Sequence, residues 1–521
     1  MSSVVEATGS EVDTGSRAAA EPPRRHPPTE GGVRPWLRRP GVGTLLAALV
    51  SVPLTLIIFP PPVYADAYWV WRAAELWPHI KGNYPTTVYH HAMRLGTLFP
   101  TRLSQEIFGH GQTAWVVASI FLMAMFTAGA FALGRALYNT WIGAVTVLIL
   151  VVHPFFTLVD SFNNAVSTGT NTVMPDAPSA GLFSLGVAAL VVASRRTGRL
   201  QTRWLLAAGL CWGLAYLVRE YVAFLFPAIV VFFWLLKVPL RRLVVPAAPM
   251  LGVLVFELIH NYFVWGDPLA RLFVAGEHGG LSAAPLRPIP VIAGFLRAID
   301  DHPLGYVFLL ALFLTAAGAV AYRDRRLWLI LAWFACRWLP LTLLGGIIEP
   351  SEPTIRPQLV RYWYIVLPAL LVGALGTIQL TVGRIRRTET RRIVMGSLAA
   401  LFVLGYLVPA GYAARGVERD QDWRELRAWL RHHPDVQVIY TDSRAVQTAV
   451  FYERDPAGNP IWPGEMREFP RQLRAIQTEL IGDDLLLLSR FGPVEKPSAA
   501  NGWEQVWRSE NGILSLWRRA D

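Results

Sequence analysis

The stretch PPPVYADAYWVWRAAELW, residues 60–77, places two carboxylates, an arginine and five large aromatics directly after one long apolar run and well before the next. The run behind it, GVGTLLAALVSVPLTLIIF, follows Arg34, Arg38 and Arg39 as a signal peptide would. It lies late, lacks a clean small-residue cleavage site and is followed by many similar runs, so it reads as an uncleaved first membrane helix. The whole chain supports that reading. Of 521 residues 53% are hydrophobic and only 16% charged, against about 25% charge in an ordinary soluble protein. The apolar residues are gathered into blocks long enough to cross a bilayer.

Eleven such blocks predict spans over 42–60, 113–133, 141–159, 179–194, 204–218, 221–237, 243–262, 304–321, 327–347, 363–382 and 393–412. Eleven buried helices exceed what a soluble core would hide. Basic clusters recur at alternate connections: Arg195, Arg196, Arg199 and Arg203; Lys237, Arg241 and Arg242; Arg323, Arg325 and Arg326; then Arg384, Arg386, Arg387, Arg391 and Arg392. By the positive-inside rule this puts the N-terminus in the cytoplasm and the C-terminus outside a plasma membrane. The formal charge of +11 is concentrated in these short loops, where membrane lipids account for it, so nucleic acid is not an expected partner. Cys211 and Cys336 both fall within spans and read as small packed hydrophobes.

Residues 1–41 are too polar to fold alone and predict a disordered cytoplasmic tail. The membrane module covers 42–412 and an outside domain covers 413–521. In that domain Trp423, Leu426, Trp429 and Leu430 have helical spacing, VQVIYTD reads as a strand followed by a helix, and DDLLLLSRF, WEQVWRS and GILSLWRR read as strands. The expectation is a small α/β domain. Its six tryptophans, Trp423, Trp429, Trp462, Trp503, Trp507 and Trp517, read as core or as a platform for an acceptor polysaccharide.

The outside loops, 61–112, 160–178, 263–303 and 348–362, are the longer and more polar ones, and sites are assembled on such loops. The opening stretch predicts a helix over 67–77 lying in the headgroup layer, with Val70, Ala73, Ala74 and Trp77 on its apolar side. Asp66 starts that helix, as a cap, a catalytic carboxylate or both. His90, His91 and Arg94 follow, as interfacial polar groups or as contacts to a phosphate or metal, although adjacent helical histidines point about 100° apart. Asp176, in MPDAPSAGLF, opens another helix. Two carboxylates from different loops at one depth suit an acid/base pair or a cation.

Arg219 and Glu220 interrupt two apolar runs, either as a structural pair or as a phosphate site. FELIHNYFVWGDPLARLF adds Glu257, His260, Asp267 and Arg271, and EPSEPTIRPQLVRYW adds Glu349, Glu352, Arg356 and Arg361. Several arginines converging at headgroup depth suit a phosphate, since guanidinium grips two of its oxygens at once. The chemistry that fits is transfer of a sugar from a lipid-linked phosphate to an outside hydroxyl, with a base on the acceptor and positive charge on the departing phosphate. No glycine-rich nucleotide cradle is evident. A transporter or flippase is the alternative, for which Glu257 and Arg337 inside spans are the main support; a non-enzymatic scaffold would leave the polar loops unexplained.

Taken together, YADAYWVWRAA, MPDAPSAGLFSLG, GLAYLVREY, YFVWGDPLARL and RPQLVRYWYIVLPAL resemble, in order and spacing over roughly residues 45 to 410, the GT-C membrane glycosyltransferases. The resemblance is to the branch containing protein mannosyltransferases and the bacterial aminoarabinose transferase. It implies a polyprenyl-phosphate sugar donor, a cell-envelope acceptor and inversion at the anomeric carbon. It also implies Asp66 as base, Asp176 as a second acidic residue, and Arg219 and Arg361 on the donor phosphate; the convergence of arginines at headgroup depth adds Arg271 and Arg356 to that phosphate site. A divalent cation, Mg2+, Mn2+ or Ca2+, would fall to Asp176 with Glu75 or Glu106. His90, His91, Arg94 and Glu220 are left as donor or acceptor contacts.

Overall fold

In a computed structural model of the chain, the described residues are 40–50, 52–53, 56, 65–85, 88–153, 173–278, 296, 305–348, 360–415, 420–468, 484–489, 497 and 502–520. The protein is a polytopic α-helical membrane protein with a small C-terminal domain built on a β-sheet. Among the described residues five helices, rather than eleven, are long and apolar enough to cross a bilayer: Gln112–Leu137, Asp176–Ser194, Leu240–Trp265, Arg325–Gly345 and Thr388–Tyr412.

The difference has local causes. Several apolar runs fold as shorter helices, Thr140–Val152, Glu220–Leu235, Tyr306–Tyr322 and Leu367–Gly383, because polar residues, turns and 3-10 segments consume part of each run. Gly198–Val218 has the length, but Gln201 and Arg203 dilute its apolar character. The first run forms a helix over Pro40–Leu49.

The centre of the bundle is the helix Asp176–Ser194, whose membrane window is 83% buried, against 11% for the peripheral Thr388–Tyr412. It lies between Gln112–Leu137 and Gly198–Val218. Glycine permits that approach: a Cβ on Gly181 would stand 2.3 Å from the Met125 carbonyl oxygen, and one on Gly129 would stand 2.0 Å from that of Gly181. Small residues at a helix crossing let two backbones touch and gain dispersion energy where lipid offers no hydrophobic drive. On the outside of the bundle Trp141, Phe263, Val320 and Leu404 are largely exposed, an apolar belt whose natural solvent is lipid.

The helix from the opening stretch spans Ala65–Leu76. It is packed on more sides than an interfacial helix would be. Ala73 and Ala74 face a cluster with Ile80, Tyr84, Met93, Leu98 and Trp265, while Ala67, Val70 and Trp71 join Trp115 and Phe451 in another. The C-terminal domain therefore sits on this helix.

That domain carries a five-stranded sheet, ordered β2-β1-β3-β5-β4, of β1 (Val438–Thr441), β2 (Glu465–Glu468), β3 (Leu485–Ser489), β4 (Trp503–Arg508) and β5 (Leu514–Arg519). The β1 strand pairs in parallel with β2 and β3, and β5 runs antiparallel to β3 and β4. The helices Gln421–His432 and Ser443–Ala449 complete it. Trp423, Trp462 and Trp503 are buried in its core. The sequence missed β2, whose residues Glu-Met-Arg-Glu lie at the sheet edge with no buried face to impose alternation.

The domain is fastened to the start of the helix Gln112–Leu137. The Gln112 amide donates to Asp420 (3.0 Å) and to the Tyr452 hydroxyl (3.1 Å), and Arg427 donates to the Gln112 oxygen (3.0 Å). Gly111 meets the backbone of Ala457 and Gly458 so closely that a Cβ would collide at 2.4 Å.

Candidate active site

Where the Ala65–Leu76 helix begins, a cavity of about 370 Å3 opens between it and the ends of several bundle helices. Its polar lining is Arg94, Arg219, Arg271, Arg337 and Arg361, with Asp66, Glu220 and His90; Phe224, Leu272, Leu341 and Leu344 form an apolar wall. Five guanidiniums against two lining carboxylates give it a strong preference for an anion.

Asp66 stands partly exposed at the rim. Its carboxylate takes a charge-assisted hydrogen bond from Arg361 (2.5 Å) and faces His91 Nε2 at 3.4 Å. Burial works to raise this carboxyl, but Arg361 and His91 outweigh it and hold it well below the usual carboxylate range. His91 is itself buried. Burial lowers its imidazole to about 4, against the pull of Asp66, so it is neutral at pH 7. Arg94 Nη1 lies 3.0 Å from His91 Nδ1 and can only donate, which assigns the ring proton to Nε2, towards Asp66.

From His91 the network continues inward. Arg94 grips Glu220 with two bonds, at 3.1 and 3.3 Å. Glu220 also lies 3.4 Å from Arg271 and 3.8 Å from Arg219. Arg271 pairs with buried Glu257 and donates to the Tyr216 carbonyl (2.9 Å). Its position on the helix Ala270–His278 folds it back over the Tyr216 ring.

Arg219 ends the helix Gly198–Val218 in an extended conformation, which turns its side chain into the cavity. Its Nε is 3.5 Å from Asp176, and its guanidinium covers the Tyr221 ring at 4.9 Å. Asp176 is fully buried, accepts from the Tyr221 hydroxyl (2.9 Å) and stands behind the cavity wall. Arg337 is fully buried in Arg325–Thr342; it donates to the carbonyls of Tyr362 (3.0 Å) and Tyr221 (3.4 Å) and pairs with no carboxylate among the described residues. Among the described residues Nη1 of Arg219, Nε of Arg271 and Nη2 of Arg337 have no hydrogen-bond partner. Buried guanidinium N–H groups left unsatisfied at a cavity are unspent capacity for an anion.

The residues expected from sequence thus separate into groups. Asp66, His90, Arg94, Arg219, Glu220, Arg271 and Arg361 share the cavity, with His91 directly behind. Asp176 lies one layer deeper. Glu75 lies elsewhere, paired with Arg72 and 4.0 Å from His110, and Glu106 pairs with Arg102. Asp267 caps a turn by accepting from the Leu269 amide, and His260 accepts from the Trp77 indole (3.1 Å). Arg356, Glu349 and Glu352 lie outside the described residues. Asp176 and Glu75 share no partner, and among the described residues no three His, Cys, Asp or Glu stand together as a metal site. Among the described residues the donor set does not fit the divalent cation expected from the resemblance.

Sequence reading missed Arg337 and the tyrosines Tyr216, Tyr221 and Tyr362 as cavity residues. An arginine in the middle of an apolar run was the available signal; the tyrosines gave none, since tyrosine is ordinary at a membrane interface.

Comparison with known proteins agrees with this architecture. Residues 95–265 match the family model described as dolichyl-phosphate-mannose-protein mannosyltransferase. Among solved structures, ArnT from Cupriavidus metallidurans superposes at a TM-score of 0.50 with 15% identity in the apo state and 14% bound to undecaprenyl phosphate, covering 92% of this chain and 97% of that one. An oligosaccharyltransferase from Archaeoglobus fulgidus, in complex with zinc and sulfate, gives a TM-score of 0.45 and 13% identity over 81% of this chain, which spans only 63% of that protein's length. No curated protein matches the sequence. The chain has the fold of the GT-C membrane glycosyltransferases.

Proposed function

We propose that this protein transfers a sugar from a polyprenyl-phosphate-linked donor to a hydroxyl of a cell-envelope acceptor, a glycan, lipid or protein, with Asp66 taking the acceptor's proton. The observation that carries this reading is the cavity in which five arginines outnumber the two lining carboxylates, Asp66 and Glu220, next to an apolar wall. Such a site suits a headgroup phosphate with its lipid leading away. The fold shared with an ArnT bound to undecaprenyl phosphate supports the donor class.

In the resting site Arg361 neutralises Asp66. A donor phosphate competes for that guanidinium, and as Arg361 turns to it the carboxylate regains basicity in the presence of substrate. Neutral His91 keeps hold of the other carboxylate oxygen through Nε2–H and fixes its direction. The departing phosphate is stabilised by the unspent N–H groups of Arg219, Arg271 and Arg337, placed before the reaction and needing no rearrangement. Asp176 positions Arg219 and the Tyr221 hydroxyl. Arg356 would join the phosphate contacts, and His90 and Glu220 would touch donor or acceptor. A base acting on an acceptor opposite the leaving phosphate gives inversion.

The cavity would open to the outside. Lys237, Arg325 and Arg384 lie at the helix ends away from it, and such basic ends are favoured in the cytoplasm. On this reading the N-terminus would lie inside a plasma membrane and the C-terminal domain outside, over the acceptor's path.

The test is loss of labelled sugar from a polyprenyl-phosphate donor by purified Asp66→Asn protein. Removing a general base is expected to slow turnover by about 10²-fold or more. Unchanged turnover at normal expression would remove Asp66 from the role.

A further inference from the structure

A second cavity, of about 470 Å3, lies at the other end of two helices that reach the first one. Phe226–Leu235 starts beside the lining residue Phe224 and ends at Lys237, and Arg325–Thr342 runs the opposite way, from Arg325 to the lining residue Leu341. The sixteen residue steps from Arg325 to Leu341 separate the cavities by about 24 Å of helix rise, so the second cavity belongs to the opposite membrane face.

Lys237 and Arg325 line it together with Trp234, Leu235, Pro239 and Leu240, with no carboxylate among the lining residues. Neither basic side chain, nor the neighbouring Arg241, makes an ion pair among the described residues. Trp234 and Leu240 are 70% and 50% exposed, an apolar flank directly beside the charge.

The backbone supplies an independent sign. Among the described residues only Lys237 (φ 57°) and Arg323 (φ 50°) are non-glycine residues in the left-handed region. Both follow helix ends on this face, where glycine or asparagine would turn the chain with less strain. A long basic side chain kept at such a position points to a use for its charge.

We propose that this cavity binds the headgroup phosphate of an anionic phospholipid in the leaflet opposite the Asp66 cavity, with Lys237 and Arg325 on the phosphate and Trp234 and Leu240 along the acyl chains. Basic pockets between membrane helices recognise anionic lipid by this combination of charge and apolar contact. The site is separate from the sugar-transfer reading and stands or falls without it.

The full chain is purified in neutral detergent, and retention of phosphatidylglycerol and phosphatidylcholine is compared by native mass spectrometry. Phosphatidylglycerol is expected to bind at least about tenfold tighter, and Lys237→Asn with Arg325→Gln to erase that preference. Arg196→Gln with Arg199→Gln, which removes equal charge elsewhere, is expected to leave it intact. Equal retention of both lipids, equal loss in the two double variants, or displacement of the lipid by millimolar inorganic phosphate overturns the proposal. Should the first double variant fail to fold, Arg325→Gln alone, at an exposed helix start, carries the same comparison.

Discussion

Replacing Arg337 by methionine separates a fold role from an anion-binding role, because loss of the first lowers stability and loss of the second lowers affinity. The guanidinium donates to the carbonyl oxygens of Tyr362 (3.0 Å) and Tyr221 (3.4 Å) and stacks on the Tyr221 ring at 3.9 Å. Charge-assisted hydrogen bonds contribute about 1.5–3 kcal/mol each, and a desolvated cation–π contact about 2 kcal/mol. Against these stands the cost of holding a guanidinium out of water without a carboxylate, several kcal/mol in magnitude. Methionine fills similar space and removes both sides of that balance, so the expected change in stability is small, within about 2 kcal/mol. Binding is another matter. Nη2 has no hydrogen-bond partner among the described residues, and losing one charge-assisted bond to a phosphate, about 2–3 kcal/mol, weakens affinity on the order of 30- to 150-fold. Thermal unfolding of the detergent-purified protein and competition binding of undecaprenyl phosphate read the two quantities. A large fall in unfolding temperature with unchanged affinity would show that Arg337 only holds the fold and would refute the reasoning.

Two further outcomes follow from the packing and the titration of the site. His91 is neutral when folded down to about pH 4, whereas an unfolded histidine protonates near 6.5. The unfolded chain therefore binds more protons between those values, and stability falls with acidification from about 6.5 to 4, by about 3 kcal/mol in all. Asp66, whose pKa is depressed by Arg361, loses its stabilisation only at still lower pH. His91→Gln keeps a polar partner for Asp66 and Arg94 and should flatten the pH 4–6.5 part of an unfolding-temperature profile; an unaltered slope would count against the assignment. At the helix crossing, Gly181→Ala adds a methyl 2.3 Å from the Met125 carbonyl. The helices must part, at a cost of about 1–3 kcal/mol, read as a lowered unfolding temperature, and an unchanged temperature would mean the crossing is looser than described.

The sequence by itself determined the class and the cast. Apolar blocks among few charges require a bilayer, because no other solvent repays that much apolar surface. Strong periodicity fixed the helix at Trp423, Leu426 and Leu430 and the strands at Leu485–Ser489 and Leu514–Arg519. Charges at the edges of apolar runs singled out Asp66, Arg219, Glu220, Arg271 and Arg361, since each needs a partner or a ligand to stay there. What the sequence left open was who pairs with whom. Glu220 serves Arg94, 126 residues away, and Asp66 serves Arg361, 295 residues away, and local pattern carries no information across such separations. The same limit hid the role of Arg337 and the depth of Asp176. Helix lengths also waited on the fold: a run of apolar residues fixes burial, whereas turns such as Arg219–Glu220 take residues from it to aim side chains at the cavity. Tertiary packing alone decided that five arginines would share one small space, and it is that sharing which leaves donor groups free for an anion.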